Sequence, residues 1–159
     1  MDDRTDPARP GGKKAARYDR DLYSWAVEQA ALLRAGKIAE ADAPNIAEEL
    51  DDVGNEQYDK LESSLRVILT HLLKWDHQPE RRSRSWKTSV QVQRNHVLKV
   101  LRKNPGLKPP VDEAIAEAYQ DARLEAAGEI DCDENSFPKQ SPYSLDVIME
   151  RPIDWPPKD

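Results

Sequence analysis

A chain of 159 residues can bury a real core, but with 34% charged residues that core must come from ordered amphipathic stripes. No run of about 18 apolar residues is present, which excludes a membrane-spanning helix, and the single cysteine, Cys132, excludes an internal disulfide. The net charge of -6 hides a basic middle: residues 64–103 carry ten cations and two acids, against four and twelve over 18–63 and five and thirteen over 104–159.

Residues 1–17, MDDRTDPARPGGKKAAR, are polar, rich in proline and glycine and aperiodic, which predicts a disordered tail ahead of one α-helical domain over 18–159. The first helix starts at Asp19 or Asp21, either of which can cap it. Leu22, Trp25, Ala26, Gln29, Leu32 and Leu33 lie on one side, and Gly36 supplies the stop. A second pattern opens at Asp42, with Pro44 in its first turn and Ile46, Leu50 and Val53 as its stripe. It resumes at Tyr58, Leu61, Leu65, Ile68, Leu69 and Leu72 and reaches Trp75. Uninterrupted to Gln78 this helix measures roughly 50 Å, so a kink or break is predicted near Gly54.

Pro79 ends the second helix. A third begins after Ser83 or Ser85 and runs to Asn104, with Trp86, Val90, Gln93, Val97, Val100 and Leu101 inward. A fourth opens at Pro109–Pro110, turns Val111, Ile115, Ala118, Ala122 and Ala126 inward and stops at Gly128. A short helix over 144–149 follows, with Phe137, Tyr143 and Trp155 anchoring the carboxy-terminal segment. The class is all-α: a bundle of four main helices plus a short carboxy-terminal one. Between the second and third helices, HLLKWDHQPERRSRSW reads as a helical-hairpin corner whose two tryptophans pack near each other.

Three chemistries are weighed for this chain. Metal binding needs clustered ligands. No acid stands three residues before His71, His77 or His96, and HExxH is absent. His71 and His77 lie about 240° apart around a straight helix, so no metal and no cofactor is expected. Enzymatic use of a polar site around His71, with Glu48 or Glu49 and Arg94, follows from a group that titrates near neutrality beside carboxylates and arginine. Cys132, among Asp131, Asp133 and Glu134, has its thiolate disfavoured by neighbouring negative charge. Phosphate contact follows from Arg81, Arg82, Arg84, Lys87 and Arg94, with Lys99, Arg102 and Lys103 extending the basic surface. The acidic total favours the alternative in which basic and acidic helices neutralise one another.

Taken together, YDRDLYSWAVEQAALLRAGK, IAEELDDVG, HLLKW, RSRSW, NPGLKP, AYQDAR and FPKQSPYSLD, in this order and spacing, resemble the bacterial domain of unknown function 29 family over residues 18 to about 155. The resemblance implies an α-helical single-domain protein of bacterial type. It supplies no activity, so it carries no catalytic residue onto this chain, and His77 is not part of the resemblance. The expectation is a cytosolic, non-enzymatic binding or regulatory module. Its partner is a nucleic acid or an acidic protein at the basic segment 81–103. The rivals are an enzyme built around His71 and an antitoxin-like or scaffold protein, including one that associates with its own copies.

Overall fold

The structure is a computed structural model that describes residues 17–156. The tail expected over 1–17 lies, apart from Arg17, outside the described residues. Those residues are helical with no strand among them. They fall into two compact units, one ending at Gly54 and one beginning at Asn55.

In the first unit, helix α1 (Leu22–Arg34) starts at Asp21, whose Oδ1 accepts the Ser24 N–H at 3.0 Å. It ends ahead of Gly36, whose φ of 72° lies in the left-handed region that glycine enters without steric cost. A 3₁₀ turn over Ile38–Glu40 leads into helix α2 (Ala43–His77). The corner is tied by buried Asp42. Its Oδ2 accepts from Trp25 Nε1 at 3.1 Å and from Asn45 Nδ2 at 2.8 Å, and its N–H donates to Gln29 Oε1 at 2.8 Å. Trp25 and Gln29 are the buried residues of α1. Leu33, Leu50 and Val53 instead stay exposed, Leu50 at 66%, and line an open apolar groove of about 240 Å³. Helical periodicity identifies an apolar face, not what covers it.

Of the kink or break predicted near Gly54, the break is absent: α2 passes through the position as one helix of 35 residues. A lone helical glycine costs only about 1 kcal/mol, and no neighbouring atom crowds the position.

The second unit holds the larger core. Leu61, Leu65, Ile68, Leu69, Leu72 and Leu73 of α2 are fully buried. Each such side chain stabilises by about 1.5–3 kcal/mol on leaving water. They pack with Val90 and Val97 of α3 (Arg84–Lys103), with Ile115, Ala118, Tyr119 and Ala122 of α4 (Val111–Ile130), and with Phe137, Tyr143 and Ile148. Ser83 caps α3 by accepting the Trp86 N–H at 3.3 Å, and Ser144 caps α5 (Leu145–Glu150) by accepting the Val147 N–H at 3.4 Å. Helix α4 does not stop at Gly128. It continues to Ile130 and ends at Asp131 with φ 55°, aspartate being among the few L-residues that tolerate the left-handed region.

At the hairpin corner Trp75 belongs to the core and Trp86 packs against it. No ring contact joins Trp75 and Trp86 among the described residues. Instead Lys74 Nζ sits 4.5 Å above the Trp86 ring, and the Arg82 guanidinium sits 5.1 Å from the Trp75 ring centre. Each ring carries a cation from the opposite side of the corner, a reciprocal brace drawn together by the ring quadrupoles.

Candidate nucleic-acid interface

Helix α3 packs through Val90 and Val97, and half-buried Trp86, Val100 and Leu101 flank that line. The 3.6-residue period then sets the opposite side. Arg84, Thr88, Gln91, Asn95, Lys99 and Arg102 follow one another along it, and every one is exposed. The row from Arg84 to Arg102 is about 27 Å long. Arg81, in the 3₁₀ turn before the helix, and Lys103, at its end, are exposed as well. From Arg81 to Val111 the chain contains no acidic residue. Among the described residues, none of the cations of α3 forms an ion pair with a carboxylate. Within the wider basic segment, Arg66 and Lys74 of α2 do pair with Glu125 and Glu129 of α4, and Glu56 and Asp59 of α2 line the groove that Lys99 and Lys103 border. Acidic helices thus neutralise part of the segment, while the α3 cations themselves have no ion-paired carboxylate.

The predicted basic residues divide by role. Arg81 and Arg84 are exposed, and Lys87 is half-buried on the flank of α3. Arg82 turns inward: Nε donates to the Trp75 carbonyl at 2.8 Å while the guanidinium covers the Trp75 ring. Arg94 is bound into the fold. Its Nε donates to the Ile148 carbonyl at 2.8 Å, and one terminal nitrogen donates to the carbonyls of Arg151 at 2.9 Å and Val147 at 3.5 Å. These carbonyls lie at the end of α5; the Val147 carbonyl also accepts the Arg151 N–H at 3.2 Å, and one guanidinium gathers all three and closes the helix terminus. Burial, with the nearby Arg151 charge, pulls Arg94 below the usual guanidinium range.

The polar residues proposed for catalysis have local partners. His71 is half-buried, and its Nδ1 lies 2.8 Å from the Val67 carbonyl. A carbonyl only accepts, so Nδ1 carries the proton in the neutral ring, and burial holds the imidazole below its ordinary pKa. In the first unit, Glu49 accepts the Tyr18 hydroxyl at 2.7 Å, a bond that pushes that phenol up to about 12, while Glu48 is exposed. His77 Nδ1 bonds the Leu73 carbonyl at 2.8 Å with its ring edge-on to Phe137, and His96 faces Gln93 Oε1 at 3.3 Å. Among the described residues, no three His, Cys, Asp or Glu side chains gather in a way that could hold a metal ion. Nor is any described helix long and apolar enough to cross a membrane.

Two features escaped the sequence reading. A groove of about 560 Å³ runs beside α3 between Glu56, Lys60, Ser63 and Ser64 of α2 and His96, Lys99 and Lys103 of α3. No motif announces it, because its walls belong to different helices. The second is Thr88 and Asn95 on the outer row, which together with Gln91 form no side-chain hydrogen bond among the described residues. Its sequence signal was the acid-free stretch that begins at Arg81. Residues 17–153 match a family model described as Domain of unknown function DUF29. No curated protein and no solved structure matches the chain.

Proposed function

The chain belongs to the DUF29 family, and we propose that it is a binding module that holds nucleic acid by its phosphates on the exposed side of α3. The observation that carries this reading is a row of outward cations, Arg84, Lys99 and Arg102 with Arg81 and Lys103 at its ends, that no carboxylate pairs among the described residues. Cations with no ion-paired carboxylate can take up phosphate oxygens and release the counterions condensed on the nucleic acid. Arg82 and Arg94 serve this surface indirectly. One fixes the corner from which α3 departs, and the other fastens the carboxy-terminal segment beside it.

The test is titration of a labelled duplex and a labelled single strand at several salt concentrations. Expected is binding that weakens with salt, with a log–log slope of about -4 for four to five neutralised phosphates. Undetectable affinity near 50 mM salt, or no salt slope, contradicts the reading. Equal competition by polyglutamate contradicts it too, since that result assigns the surface to acidic protein.

A further inference from the structure

We infer that the outer side of α3 reads base edges in the major groove of duplex DNA, with Gln91 and Asn95 as the discriminating residues. The inference rests on the reading above that α3 binds nucleic acid, and it adds what the cations alone do not supply. Phosphate contacts set position and register, whereas sequence is distinguished by donors and acceptors presented to base edges. Carboxamides have the geometry for this, since one amide donates to and accepts from the N6/N7 edge of adenine.

Gln91 and Asn95 sit one turn apart on the exposed row, with Thr88 before Gln91 and Val92 beside it. Their side chains have no hydrogen-bond partner among the described residues, so no internal bond must break for them to engage a base. A helix of about 10–12 Å diameter fits lengthwise into a major groove roughly 12 Å wide, and Thr88 to Asn95 then spans about 10 Å of the groove floor, roughly three base-pair steps. The charged residues flank this uncharged stretch, with Arg84 before it and Lys99 and Arg102 after it. The neutral polar groups then face the base edges, and the cations lie where the straight helix leaves the curving groove and passes the phosphate backbone. Val92, 43% exposed, adds an apolar contact suited to a thymine methyl.

The same surface disfavours other nucleic acids. Binding of single strands relies on aromatic platforms for the bases; of the two aromatic rings of α3, Trp86 is half-buried beneath Lys74, and the exposed His96 alone offers no succession of platforms. Duplex RNA has a major groove too deep and narrow for side chains to read.

The experiment uses the full chain and a pool of duplex DNA with a randomised centre, selected at about 100 mM salt and followed by anisotropy on the enriched and a scrambled duplex. Expected is a short enriched motif. Gln91→Ala and Asn95→Ala should each weaken the enriched duplex by roughly 10- to 100-fold while leaving the scrambled duplex and the salt slope unchanged. Both positions are exposed, and circular dichroism checks that the variants fold. If the pool binds with a salt slope but no motif emerges, or if the variants weaken both duplexes alike, base reading is overturned and phosphate binding stands. If the pool does not bind near 50 mM salt, both fall.

Discussion

Arg94 shows how far the role of one side chain can lie from its charge. Read along α3 it belongs to a basic run, yet its guanidinium donates to the carbonyls of Ile148, Arg151 and Val147. A planar fork with several donors suits that cluster of acceptors, and a lysine ammonium cannot cover it in the same way. Arg94→Lys should therefore cost about 1.5–3 kcal/mol in urea unfolding. Hydrogen exchange should quicken over α5 before it quickens over α2. A loss below about 0.5 kcal/mol, the level of an ordinary surface substitution, contradicts the role. Nothing local in the sequence marks this role, because the acceptors lie more than fifty positions away. The capping residues Asp21 and Ser83 were legible for the opposite reason: each bonds an N–H three positions on, within reach of a short-range pattern.

Among the elements, the corner between α2 and α3 decides where the basic row points. Pro79 opens its 3₁₀ turn and Ser83 starts α3. Lys74 over Trp86 and Arg82 over Trp75 then fix the angle. Lys74 is buried and also ion-paired to Glu129 of α4, so the cation above the Trp86 ring is held from two sides. A double-mutant cycle with Lys74→Met and Trp86→Leu should give a coupling of about 1 kcal/mol. Additive losses contradict the brace. The existence and order of the helices were legible from apolar spacing. Their ends were less so where glycine stood as the signal. Gly54 is absorbed into a long helix, and Gly128 is passed before Asp131 ends α4. A glycine is a small local cost that tertiary packing overrides.

For the whole molecule, the proposed phosphate binding rests on arrangement, not on total charge. The net charge of -6 opposes unspecific attachment to a polyanion, and the unpaired row on α3 supplies the local attraction. Segment charges were readable from the sequence. Whether the basic segment met acids or water was not, because that depends on which helices pack against α3 and through which face. The most direct measurement compares the salt slope of DNA binding for the natural chain and for the Arg84→Ala/Arg102→Ala variant. Each lost phosphate contact should make the slope shallower by about 1, so the double variant should lose about 2 while keeping its fold. An unchanged slope in a folded double variant places the phosphates elsewhere on the molecule and contradicts the assignment to α3.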